Sequence, residues 1–169
     1  MASKFILTTT IAAAALAAVA GCKGPQAAPD STATATNSPI DVSTIVKTRK
    51  ANFKDIAKSN KVAKVALEAS TPDFPTASAA AQAIQTDAGK IVGLFPDGTG
   101  PAEAPKTEAL PIIWQKNAEF KAAADKLIAA AGTLKTAADA KDLAAANTAM
   151  AGIGAACKGC HETFRKKDK

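Results

Sequence analysis

From Ile40 onward the apolar residues recur at alternating spacings of three and four, and breaks rich in Pro, Gly or Asp divide them into four segments. Such spacing collects apolar side chains on one stripe of an α-helix. The first segment, about Asp41–Ala69, carries Val42, Val46, Arg49, Phe53, Ile56, Asn60, Ala63 and Leu67 on its stripe and stops at Thr71-Pro72. The second, Thr76–Leu94, has Ala77, Ala81, Ile84, Ala88, Ile91 and Phe95 in step. An irregular loop begins at Pro96-Asp97-Gly98. A third helix starts near Leu110-Pro111, with proline tolerated in the first turn, and runs to about Ala138. Asp139–Asp142 forms a short turn, with Asp142 as N-cap. The fourth helix, about Leu143–Lys166, bears Leu143, Ala146, Met150, Ile153, Cys157, Cys160 and Phe164 on its stripe. Four stripes with short connections predict an all-α fold, an antiparallel four-helix bundle over residues 40–169. Much of the stripe is alanine, so something besides side chains is expected to fill part of the interior.

The N-terminal 39 residues do not fit that pattern. Lys4 precedes an uncharged apolar run, Phe5–Ala20, of signal-peptide length and too short for a membrane span. Residues 1–21 therefore read as a signal peptide. Ala18-Val19-Ala20 is an A-x-A cleavage site, whereas Val19-Ala20-Gly21-Cys22 resembles a bacterial lipobox that makes Cys22 the lipidated first residue. Both imply export, to the bacterial periplasm, with Cys22 as a membrane anchor in the second case. In Lys23–Pro39, 13 of 17 residues are Ala, Gly, Pro, Ser or Thr. Residues 22–39 are thus expected to be a flexible tether spanning about 20–25 Å.

Composition narrows the function. Of 21 basic residues 19 are lysine, and aromatics make up 4% of the 169 residues. Nucleic-acid recognition uses arginine forks and stacking rings, so no nucleic-acid partner is expected. One histidine, His161, excludes histidine-rich metal sites and paired-histidine catalysis.

That histidine closes Cys157-Lys158-Gly159-Cys160-His161, the C-x-x-C-H sequence of c-type haem attachment. Two thiols at this spacing can add to the two vinyl groups of one haem, with the adjoining imidazole ligating the iron. A zinc knuckle lacks its fourth ligand, and a thioredoxin-like pair expects a βαβ setting rather than an alanine-rich helix. One covalent haem c per chain is the expected cofactor, and the bundle is expected to enclose it.

With this motif in its last helix, residues 40–169 resemble the cytochrome c′ family. The likeness also includes Arg49 and Phe53, spaced four apart in the first helix, and Leu110-Pro111-Ile112-Ile113-Trp114 followed by Phe120. The resemblance implies that Cys157 and Cys160 anchor the haem and that His161 is the axial ligand. It implies that Arg49 neutralises a propionate, that Phe53 covers the open haem face, and that Arg165, one turn past His161, stands beside the imidazole. Trp114 is expected to pack in the core, near the haem edge or against the second helix. Met150, on the same helix as His161 and about 16 Å away along it, cannot reach the opposite face. Lys50 and Lys54 are conceivable ligands only at the cost of deprotonation. The expected protein is no enzyme: an electron-transfer haem protein with five-coordinate, high-spin iron open to NO and CO. A six-coordinate low-spin shuttle is the alternative. The redox partner is unassigned, and the family commonly forms homodimers through its first helices.

Overall fold

The structure, a computed structural model, describes residues 41–167; the leader, the tether and Cys22 lie outside them. It is an up-and-down bundle of four long helices. Helix α1 spans Val42–Glu68, opened by Asp41, whose carboxylate accepts from the Ser43 and Thr44 amides at 3.0 and 3.1 Å. Helix α2, Phe74–Lys90, starts two residues earlier than the pattern suggests, because Asp73 caps it and Pro75 fits its first turn. Its expected last turn is instead a separate 3-10 turn, Val92–Leu94.

The third segment is also divided. Helix α3 is a single turn, Ile112–Gln115, and the chain breaks at Lys116 (φ −123°, ψ 50°) before α4, Asn117–Asp139. The Trp114 indole donates to the Pro96 carbonyl at 3.1 Å. That bond ties the α3 turn to the loop, and Lys116 absorbs the change of direction into α4. Helix α5, Leu143–Phe164, is capped by Asp142, which accepts from the Ala145 amide at 2.9 Å. It ends two residues before the expected Lys166. There Leu110 N–H donates to the Phe164 carbonyl at 3.0 Å and Lys166 N–H to the Glu108 carbonyl at 2.8 Å, which pulls Arg165 into extended backbone.

Ala63, Ala77, Ala81, Ala131 and Ala146 are fully buried, so the helices can approach closely around Ile84, Ile113, Phe120, Leu134 and Ile153. Helix α1 packs on α2, α2 on α4, and α4 on α5, but α1 and α5 scarcely meet. The fourth side of the bundle is a cleft of about 350 Å³ between Asn60, Lys64 and Leu67 on α1 and Asn147, Met150 and Gly154 on α5. The unfilled interior expected from the alanine stripes is this open seam.

Candidate functional site

On α5, Cys157 and Cys160 are three residues apart and lie on one side of the helix. Both are half-buried against the core. Burial pushes both thiols up from their ordinary values, and Cys157 adds to the rise at Cys160. A redox pair would instead show a depressed thiolate. Among the described residues no three His, Cys, Asp or Glu side chains are placed to hold a metal ion between them. His161 follows in the last turn of α5 and is exposed.

The two walls of the seam run antiparallel, as the up-and-down order of the bundle requires. Asn60 and Gly154 line the same cleft, and counting seven residues back along α1 and seven on along α5 from them brings Phe53 to about the level of His161. Phe53 is half-buried there and meets Phe95 edge-on, with ring centroids 6.4 Å apart. Lys50 and Lys54 are exposed, about 60° and about 100° round α1 from Phe53.

Arg49 is 4% exposed, deeper than a residue reserved for a propionate would need to be. Its Nε donates to the Leu94 carbonyl at 2.9 Å, Nη1 to the Thr99 carbonyl at 3.3 Å and Nη2 to the Thr99 hydroxyl at 2.7 Å. The guanidinium lies 3.9 Å from the centre of the Phe95 ring. Desolvation lowers its pKa. The hydroxyl of Thr99 donates in turn to the Pro96 carbonyl at 2.7 Å, the acceptor also used by Trp114. Arg49 therefore clamps the loop after α2. A guanidinium has five N–H donors, and two remain beyond these three bonds.

Phe95 is the hub of this corner. It meets Phe120 at 4.9 Å and Trp114 at 5.9 Å, and Phe120 meets Phe164 at 5.2 Å. Sequence reasoning missed the roles of Phe95 and Thr99, though the apolar run Ile91–Phe95 before Pro96 was a signal. Arg165 closes α5: its backbone N–H donates to the His161 carbonyl at 3.2 Å, and its Nε pairs with Glu108 at 2.8 Å.

The residues fit a haem. The seam between α1 and α5 holds a cleft, two half-buried thiols stand at attachment spacing one turn further along α5, and the buried Oδ1 of Asn60 on the α1 wall has no hydrogen-bond partner among the described residues. The family model described as "Cytochrome C'" matches residues 44–165. The chain belongs to the cytochrome c′ family. It is 39% identical over 121 residues to cytochrome c′ of Pararhodospirillum photometricum, covering 72% of this chain and 95% of that protein. The crystal structure of cytochrome c′ from Thermochromatium tepidum superposes with a TM-score of 0.69 at 29% identity, covering 77% of this chain and all of the other. The nitric oxide complex of a variant cytochrome c prime from Alcaligenes xylosoxidans gives 0.67 at 27% identity, covering 75% and 97%. Cytochromes c′ carry one covalently bound haem c. In this chain the C-x-x-C-H sequence lies on α5.

Proposed function

We propose that this cytochrome c′ is an electron-exchanging haem protein whose distal face admits a diatomic gas, NO or CO, and is no enzyme. When bound, the haem supplies an iron that exchanges one electron and offers a vacant coordination position. Cys157 and Cys160 would hold it through thioethers, and the His161 imidazole would ligate the iron. The observation that carries the proposal is the level of Phe53 opposite His161. A phenyl ring cannot ligate iron, cannot pass a proton, and keeps water from the face it covers. Neither exposed Lys50 nor Lys54 supports the six-coordinate alternative. A structural neighbour being a nitric oxide complex supports gas binding.

Arg49 acts first as a loop clamp, and its two remaining donors turn to a propionate, a charge-assisted contact. Arg165 pins the chain end beside the last turn of α5, and its neighbouring charge bears on His161 only from there. Residues 1–21 direct export to the periplasm, and Cys22 is the proposed lipid anchor. No helix among the described residues is long and apolar enough to cross a membrane.

The test is intact mass and CO titration of the purified ferrous protein. The expected mass exceeds the polypeptide by one haem, which acid–acetone does not extract, and CO binds at one site per chain. Extractable haem, or a ferrous spectrum indifferent to CO, would overturn the proposal.

A further inference from the structure

Helix α1 holds seven basic and two acidic side chains, while the other described residues hold eleven of each. The whole excess charge of the bundle therefore resides on one helix. Lys47, Lys50, Lys54, Lys58 and Lys61 are all exposed. At 3.6 residues per turn they fall within an arc of about 80° on the face opposite buried Ile56 and Ala63. Of the ten described lysines outside α1, five have an ion-pair partner: Lys90 with Asp87, Lys116 with Glu119, Lys121 with Asp125, Lys135 with Asp139 and Lys158 with Glu162. On α1 only Lys64 has an ion-pair partner among the described residues, Glu68, and that at 3.7 Å. Like charges three and four residues apart repel one another along a helix, so local stability does not account for the stripe. In the same face stands Val65, 59% exposed, with Val62, 39% exposed, on its flank.

We infer that this outer face of α1 docks an acidic protein, the electron-exchange partner of the function proposed above, on which the inference rests. In the productive encounter one electron passes from the partner's reduced centre to ferric iron. The partner is oxidised, the iron becomes ferrous, and no bond or proton is transferred. The stripe is about 26 Å long and one helix, about 10–12 Å, wide. That is about 300 Å² a side, the small end of the range, where transient electron-transfer encounters lie. Other occupants fit less well. A second copy meeting this face across a two-fold axis sets lysine against lysine. Nucleic acid finds no ring and no arginine here, since Arg49 is buried. A lipid surface calls for Trp, Phe or Leu beside the lysines, and the face offers two valines. An acidic rim around a small apolar spot matches what is displayed.

The test uses the haem-loaded protein with flavodoxin hydroquinone, an acidic one-electron donor, as probe. Two signals are read: amide shifts of the ¹⁵N-labelled cytochrome on adding flavodoxin, and the bimolecular reduction rate followed by stopped flow. The expected shifts centre on the outer face of α1. The rate is expected to fall about tenfold or more between about 0.01 M and about 0.3 M salt. The triple variant Lys50→Glu/Lys54→Glu/Lys58→Glu loses both signals, with far-UV CD and midpoint potential unchanged. The corresponding glutamine variant is intermediate, and Lys121→Glu/Lys126→Glu on α4 behaves as wild type. Shifts centred elsewhere, or an α1 variant that reacts like wild type, overturn the inference. So does binding to phosphatidylglycerol vesicles that the α1 variant alone loses while its flavodoxin reaction persists. The shift map reports docking whether or not the haem has the proposed coordination, so failure of that proposal is recognised separately by the CO titration.

Discussion

Thr99→Val removes one hydroxyl from a fully buried position and keeps the side-chain shape. Two hydrogen bonds go with it: the one accepted from Arg49 Nη2 at 2.7 Å and the one donated to the Pro96 carbonyl at 2.7 Å. A bond to a charged donor contributes about 1.5–3 kcal/mol and a neutral one about 1 kcal/mol. The remaining groups keep partners, because Arg49 retains the Leu94 and Thr99 carbonyls and Pro96 retains Trp114. The expected loss is therefore toward the lower end, about 2–3 kcal/mol. In a domain of this size that lowers Tm by about 6–15 °C. Urea unfolding followed by far-UV CD should show a lower midpoint at unchanged slope, since the surface exposed on unfolding is the same. Thr99→Ser, which restores the hydroxyl, should recover most of the difference. A loss below about 0.5 kcal/mol would refute the clamp as the device that fixes the loop and, through it, Phe95.

Three other outcomes follow from the same geometry. Phe53→Ala should raise CO and NO association rates while costing about 1.5–3 kcal/mol, less than a fully buried phenylalanine because Phe53 is half-exposed; unchanged rates in stopped flow would reduce Phe53 to a packing residue. Phe53→Met should convert the visible spectrum toward low spin, and a high-spin spectrum would show that the side chain does not face the iron. Hydrogen bonds from Thr44 and Ser43 lower Asp41 to about 2; Asp73 is lowered by Thr76, and Asp139 by Lys135 and Ser78. Carboxyls depressed in the folded state contribute stability above their unfolded value, near 3.8, that is lost as pH falls through the folded value, so the urea midpoint should drop between about pH 4 and pH 2, with a shallower limb in Asp41→Asn.

The long helices were legible because each carries a largely apolar stripe and three of the four open on an Asp cap, of which Asp142 was recognisable. The haem motif needed only its five residues. What the pattern could not reveal depends on contacts distant in sequence. The break at Lys116 follows from Trp114 bonding to Pro96, 18 residues away. The end of α5 follows from an antiparallel bridge between Arg165 and Ala109. Arg49 interrupted an apolar stripe, which marked it as unusual, but its partners Leu94 and Thr99 lie 45 and 50 residues on. Periodicity cannot show which loop returns to a given turn of a helix. The lysines of α1 are in the sequence, but that all but Lys64 stand without an ion-pair partner among the described residues, where half of the lysines elsewhere have one, only the structure shows.

The most direct test of the account is the electron paramagnetic resonance spectrum of the ferric protein at neutral pH. With His161 the one protein ligand and Phe53 across from it, the spectrum should be that of high-spin iron, and it should stay high-spin in Lys50→Ala and Lys54→Ala. A predominantly low-spin signal in the wild-type protein would place a sixth side-chain ligand where the account has a phenyl ring, and would contradict it.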